Sequence, residues 1–364
     1  MRRLVLIILT CLVLCAPALA SDAQDELYDA LDVAEAEEAL PDEARDILGD
    51  VGVEDAMEPE GMLSRLADAA WDKLGSLWRS AAGAAAKLVA IALLCSVASA
   101  FTDGSTGRYV GLAGCLAVSA VAFSDAGSCI AAGVAALDDL QTFSRALLPC
   151  LTAAAAAGGA VTSAAAKYAA TALFMDILMT AARTLLLPLS YVCLAARTAS
   201  AALDSPAIDG ASKLITKVTG IATTAIMTAF TAWLGITGAV SGSADAVTSR
   251  AAKTAISAAL PVVGGVISDA ASTVVAGAGL LKSAVGAFGL IAAACVCLAP
   301  FLMLGLRYLF YKAAAALAAA FADKRVSGLI SELGGVFGMV LGVVGAAALM
   351  LFISIISVTK AVSG

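Results

Sequence analysis

The sequence predicts an all-α, polytopic integral membrane protein. The chain has 364 residues, of which 61% are hydrophobic and only 14% are charged, whereas soluble domains carry roughly 25% charged residues. The hydrophobic residues form long uniform blocks, not one amphipathic stripe. Ser283 to Leu306, for example, carries no charge, and about 20 apolar residues are enough to cross the hydrocarbon of a bilayer.

The first twenty residues have the features of a secretory signal peptide. The positive start is Arg2-Arg3, the apolar stretch covers residues 4–15, and Ala18-Leu19-Ala20 is a small-residue cleavage site. An uncleaved membrane anchor is the alternative. In either case we expect the residues that follow to be exported.

Residues 21–61 form a strongly acidic segment. Within residues 21–60 lie 16 of the 29 Asp and Glu residues, and the only basic residue there is Arg45. We interpret 21–61 as an exported, partly disordered segment, because a high net charge with little apolar surface opposes compact folding. A role in binding a partner is the alternative.

Residues 62–80 predict an amphipathic helix. Its large apolar side chains fall near one side, and its charged side chains fall mostly elsewhere. The apolar set is Met62, Leu66, Trp71, Leu74 and Trp78. Two tryptophans in such a helix are typical of one that lies along the lipid head groups. A soluble amphipathic helix packed on the exported segment is the alternative.

Membrane helices are predicted on both sides of a distinct segment at 245–282. The N-terminal half, 81–244, contains predicted spans at 83–101, 109–132, 146–166, 168–197 and 218–240, separated by polar connections that include 137–145. The C-terminal part, 283–364, contains spans at 283–306 and 333–358. The fourth of these spans is the least regular, so the count is six or seven.

The segment 245–282 has apolar stretches shorter than a full crossing. It is interrupted by Pro261 and by the pair Gly264-Gly265, and it continues through Asp269 to Lys282. A proline followed by paired glycines predicts a re-entrant or interfacial hairpin. A surface loop between spans is the alternative. Lys282, directly before an uncharged span, is expected to extend to the head groups.

Two rows of small residues predict close helix packing. Small residues let helix backbones approach each other in lipid, where the hydrophobic effect gives no attraction between helices. These rows either pack the protein's own helices or contact other membrane subunits. They are Gly334, Gly338 and Gly342 in the last span, and Gly279, Ser283 and Gly286 at the start of the preceding one.

Asp125, Asp176 and Arg183 are charged residues inside predicted spans. Charges at membrane depth are costly and usually face protein or water. They fit a proton or ion path, or equally the frayed ends of spans. Asp176 and Arg183 are seven positions apart, two helical turns, so we do not expect them to pair directly.

Several function classes lack the residues that they need. The chain has no histidine, which excludes Ser-His triads and H-E-x-x-H zinc sites. It has no P-loop for nucleotide and no basic, aromatic-rich patch for nucleic acid. Cys295 and Cys297 have the wrong spacing for a redox pair. We therefore predict no enzymatic activity, no metal and no cofactor.

The basic residues between the last two spans give an orientation. Arg307, Lys312, Lys324 and Arg325 cluster there, and the positive-inside rule places such a loop in the cytoplasm. With an exported start, seven spans would put this loop outside. Six or eight spans would remove the conflict.

The C-terminal third resembles the stage III sporulation protein AE family. The resemblance lies in ALPVVGGVISDA (259–270), GAGLLKSAVGAFGLI (277–291), Pro300-Phe301, KRVSGLISELGGVFGMVLG (324–342) and ALMLFISIIS (348–357). It implies a membrane component of the channel-like complex that links mother cell and forespore during endospore formation. The implied partners are other stage III sporulation membrane proteins and membrane lipid, in the mother-cell membrane around the forespore. A stand-alone transporter or permease is the alternative function.

Overall fold

The computed structural model describes residues 33–49, 52–53, 59–102, 105–203, 206–259 and 264–360. These residues form nine α-helices and one π-helical turn, Ala182–Leu186, and contain no strand. The predicted all-α fold is confirmed, while the predicted signal peptide lies outside the described residues. The α-helices are α1 Val33–Glu38, α2 Asp42–Leu48, α3 Pro59–Ala100, α4 Ser105–Ala157, α5 Val161–Ala181, α6 Leu187–Leu203, α7 Pro206–Ala259, α8 Gly264–Ala318 and α9 Lys324–Thr359.

Six helical segments in the described residues are long and apolar enough to cross a membrane. The multi-pass prediction is therefore confirmed. The last of them, α9, has 36 residues and is about 54 Å long at 1.5 Å per residue, so it exceeds a hydrocarbon layer of ~30 Å. The six segments are Gly61–Ala100, Tyr109–Ala157, Val161–Leu203, Ala207–Thr237, Gly279–Ala318 and Lys324–Thr359.

Several predicted boundaries differ from the helices of the structure. The polar connection expected at 137–145 lies inside α4, and the chain turns instead at residues 158–160. Gly159 makes this turn with φ +96°, a conformation that favours glycine. Residues 62–80 likewise continue without a break into the first span as part of α3. The amphipathic turns therefore extend this span along its own axis.

The predicted span 168–197 is helical but irregular. Its regular α-helix ends at Ala181, and the π-helical turn carries the chain to Leu187, whose N–H donates to Ala182 O. Pro188 follows directly. A proline has no N–H for the helix ladder and its ring displaces the preceding turn, and such disruptions are commonly accommodated by a π bulge.

Contacts between the helices show that successive spans alternate in direction. α3 runs parallel to α8, because Ser80 contacts Arg307 and Ser96 donates to Phe321 O. α4 runs antiparallel to α8, because Asp125 contacts Tyr311 and Leu147 lies against Gly289. The other pairs follow the same alternation.

The remaining directions are set by six contacts. α9 opposes α8, since Gly334 lies against Tyr311 and Gly286 against Thr359. The α5–α6 segment opposes α9, with Lys167 beside Ser357 and Arg197 beside Glu332. α7 opposes that segment, with Phe230 against Phe174 and Ser212 beside Cys193. The start of α3 and the basic loop between α8 and α9 therefore lie at opposite ends of the bundle.

The described part of the acidic segment packs on the bundle. α1 contacts α4, and α2 contacts α3 and α8. Their apolar side chains, Val33, Ala36, Leu40, Ala44 and Leu48, are buried, while most of their acidic side chains are exposed. Arg65 Nη1 donates to Leu48 O at 2.5 Å, and Lys73 pairs with Glu43. The described residues of 21–61 thus have a buried apolar side, and partial disorder of the segment stays a prediction.

Candidate helix-packing and polar sites

The glycine row of α9 serves two different surfaces. A Cβ added to Gly334 would lie 2.9 Å from Tyr311 Cβ, and one added to Gly338 would lie 3.0 Å from the Tyr308 ring. Both glycines therefore permit close approach of α8 within this chain. Around Gly342 no heavy atom lies within 4 Å of an added Cβ.

Gly342 opens on a groove between α7 and α9. The groove has a volume of about 320 Å³ and is lined by Gly335, Gly338 and Gly342 on α9 and by threonines on α7. One of them, Thr219, is 1% exposed, and its hydroxyl has no hydrogen-bond partner among the described residues. Assembly through this part of the glycine row remains a prediction.

The second predicted row has one close contact. A Cβ on Gly286 would lie 2.5 Å from Thr359 Oγ1, whereas Gly279 is open. The Ser283 hydroxyl donates to Gly279 O of its own helix at 3.0 Å. Sequence reasoning missed other close approaches, at Gly114, Gly133 and Gly289. Each is a small residue in an apolar block, but the sequence does not show which neighbour it meets.

The family-motif residues lie at the start of α8. Pro261 is outside the described residues, and Gly264, Gly265 and Asp269 are described as helical backbone only. Lys282 is 2% exposed, so it does not extend to the head groups as expected. It lies 18 residues into α8, on a side covered by the bundle and near Lys167.

Asp125 belongs to a buried polar cluster that joins three helices. Its carboxylate lies 3.1 Å from Arg307 Nη1 and accepts a hydrogen bond from Tyr311 OH at 2.7 Å. Arg307 also donates to Ser80 Oγ at 2.9 Å. The Asp125 and Arg307 side chains are 14% and 10% exposed. This cluster connects α3, α4 and α8, which is a structural role.

A second buried charge lies between α6, α7 and α9. Arg197 Nη1 is 3.0 Å from Glu332 Oε1, and Arg197 Nη2 donates to Thr216 Oγ1 at 3.4 Å. Near the other end of α9, Lys167 donates to Ser357 O at 2.7 Å and Thr171 hydrogen-bonds Ser354. None of these residues was singled out from the sequence, because their partners are more than 130 positions away in all but one case.

Asp176 and Arg183 belong to a different kind of arrangement, which we call the polar face. They do not pair directly. Gln141 joins them, because its Nε2 donates to Asp176 Oδ1 at 3.0 Å and its Oε1 accepts from Arg183 Nη2 at 3.1 Å. Arg145 Nη2 also donates to Asp176 Oδ1 at 3.1 Å, and Arg183 pairs with Asp138. The polar face is defined by Asp138, Gln141, Arg145, Asp176 and Arg183.

The charged side chains of the polar face are directed away from the bundle interior. Their exposed fractions are 70% for Arg145, 64% for Asp176, 47% for Asp138 and 41% for Arg183. A charged side chain at the centre of a membrane helix costs at least about 2.5–3.5 kcal/mol in lipid. An adjacent cavity of about 560 Å³ is lined by members of this face and by Ser144, Tyr168 and Ala172.

The described residues offer packing surfaces between helices and polar contacts within the bundle. Within the described residues, no group of three or more His, Cys, Asp or Glu side chains is placed to hold a metal ion. None of the seven cysteines described there forms a disulfide.

Comparison with known proteins gives one family. The family model for stage III sporulation protein AE matches residues 57–362, which include all six candidate spans. Comparison with curated proteins gave no match, and comparison with solved structures gave none either. Because the family match covers most of the chain, this multi-pass membrane protein belongs to the stage III sporulation protein AE family.

Proposed function

We propose that the chain is a non-enzymatic membrane component of the channel-like complex between mother cell and forespore, and that it is required after engulfment. The observation that carries this proposal is the family match across residues 57–362. A stage III sporulation family with six candidate spans fits a membrane subunit. Its partners are then other stage III sporulation membrane proteins, in the mother-cell membrane around the forespore.

The geometry favours a subunit over a stand-alone transporter. A transporter holds its substrate in a cavity near the membrane midplane, enclosed between its own helices. In the described residues the polar face and its cavity open to the side of the bundle. A surface of this kind requires a neighbour or water beside it in the membrane.

The proposal includes an orientation. The start of α3 and the basic loop lie at opposite ends of the bundle, and we extend this to the acidic segment that precedes α3. The positive-inside rule puts the basic loop in the cytoplasm, which leaves the acidic segment in the space between the two membranes. The conflict that seven spans would create is then absent.

The test is deletion of the gene in its native spore former. We expect engulfment to finish and spore development to stop afterwards, with recovery when the full chain is restored. An affinity-tagged chain should co-purify with other stage III membrane proteins. Normal spore yield after deletion would contradict the proposal, as would uptake of a solute by the chain alone in liposomes.

A further inference from the structure

The polar face lies at the same depth in the bundle as the longest uncharged segments. Two contacts bracket its α4 residues: Gly133 lies against Val340 of α9, and Leu147 lies against Gly289 of α8. Gly289 is within the uncharged run 283–306, and Val340 is within the uncharged run 333–359. Asp138, Gln141 and Arg145, which fall between these contacts, are therefore beside the segments best suited to hydrocarbon.

The α5 residues of the polar face are placed in the same way. Thr171 hydrogen-bonds Ser354, and α5 runs antiparallel to α9. Asp176, five residues after Thr171, is thus level with residues near Leu349 of α9. Leu349 is 53% exposed on an uncharged stretch. At one depth of the bundle, α9 therefore carries an apolar surface, and α4 and α5 carry a charged one. The parallel pairing of Ser80 with Arg307 puts the charged residues Asp68 and Lys73 of α3 at this depth as well.

Lipid is a poor neighbour for the charged surface, because hydrocarbon offers no partner to exposed carboxylates and guanidinium groups. A second protein helix is also disfavoured. The four charges are already paired inside this chain, so a covering helix would remove them from water without supplying a missing counter-charge. Water solvates exposed ion pairs without that penalty, and a cavity of about 560 Å³ has room for many molecules of ~30 Å³.

We infer that the polar face borders a water-filled path through the membrane, which closes when further subunits assemble beside α4 and α5. This inference rests on the proposed function, since the chain alone leaves the path open on one side. It assigns the pore-lining surface to Asp138, Gln141, Arg145, Asp176 and Arg183.

Cysteine accessibility tests the path directly. Ala172 is small, exposed and part of the cavity wall, so Ala172→Cys changes the surface little. Leu349→Cys is its control at nearly the same depth. Open membrane fragments from sporulating cells, with both surfaces accessible, are treated with a membrane-impermeant methanethiosulfonate. The unsubstituted chain supplies the background of native thiols.

We expect Ala172→Cys to be labelled at least about tenfold faster than Leu349→Cys, because the thiolate is the form that attacks these reagents and displaces their sulfinate group, and it forms in water and not in lipid. Equal labelling of both positions would overturn the inference, since this depth would then lie outside the bilayer. Labelling of neither would overturn it too, since lipid or protein would cover the polar face. Leu173→Cys, at the adjacent cavity position, replaces Ala172→Cys if the latter is not recovered in the membrane.

The labelling experiment and the test of the proposed function can fail independently. Spore yield after gene deletion reports on the role in development, whereas labelling reports on the surroundings of the polar face. A chain that is required for spores but gives no labelling at Ala172→Cys would retain the proposed function and lose the path.

Discussion

At the scale of single residues, residues of the same type in this chain have different surroundings and roles. Gly338 and Gly342 are one helical turn apart on α9 and belong to one row in the sequence. Tyr308 of α8 lies against Gly338, while Gly342 faces a groove. The same contrast holds for the charges, since Asp125 is buried in a cluster and Asp176 is exposed.

Gly338→Leu should therefore destabilise the isolated chain. A side chain there meets the Tyr308 ring at once, and overpacking of this kind typically costs about 1–3 kcal/mol. The measurement is the apparent Tm of the detergent-solubilised protein. Gly342→Leu is the matched control, with an expected Tm near that of the unsubstituted chain, and equal losses for the two variants would contradict this assignment.

Asp125→Ala should be among the most damaging single substitutions. It leaves Arg307 buried without its counter-charge, and breaking a buried pair in this way costs about 3–5 kcal/mol. A double-mutant cycle with Arg307→Ala, followed by thermal unfolding in detergent, measures the coupling. We expect the double variant to be more stable than Asp125→Ala alone; strictly additive losses would argue against the pair.

At the scale of elements, helix continuity is the main feature. α4 passes through the charged stretch 138–145 without interruption because Asp138, Gln141 and Arg145 find partners on α5 and the π-helical turn. α3 likewise carries its charged first half directly into a span. In both cases tertiary contacts supply partners for residues whose local pattern suggests a connection or an interfacial helix.

The docking of α2 gives a prediction at this scale. Leu48 is 0% exposed, so Leu48→Asp should release α2 from the bundle at little cost to the spans. The measurement is limited proteolysis of the purified protein, with faster cleavage expected within residues 33–53. Asp46, on the same helix, is exposed, and Asp46→Ser should leave the cleavage rate unchanged. Similar rates for the two variants would refute docking through Leu48.

At the scale of the whole molecule, the alternating directions of six spans give a topology. The loop at residues 319–323 and the start of α3 lie at opposite ends of the bundle, and α9 returns the chain to the end where α3 begins. Because the spans alternate in direction, their number determines on which side of the membrane each terminus lies.

Reporter fusions test this topology. A reporter active only in the cytoplasm should be active after Ala320 and inactive when fused after Gly364. A reporter active only outside the cytoplasm should give the opposite result. Cytoplasmic activity at both sites would require an even number of crossings between them, or a re-entrant last segment, and would contradict six alternating spans.

Local sequence patterns were sufficient to identify the chain as an all-α membrane protein and to indicate its family. Uncharged blocks too long for soluble helices specify membrane spans, because hydrocarbon accepts only segments whose side chains are apolar and whose backbone is internally bonded. The motifs in residues 259–357 were sufficient for the family resemblance, and the family is confirmed. Both properties are local, so they can be recognised without knowledge of which helices are neighbours.

The contacts of the polar and small residues follow from the tertiary structure and not from local sequence. Asp125 pairs with a residue 182 positions away, and Gln141 connects two residues that local spacing keeps apart. The different contacts of Gly338 and Gly342 also depend on which helix lies beside each of them. Helix neighbours are set by the packing of the whole bundle, and that packing depends on interactions over long separations that no local pattern encodes.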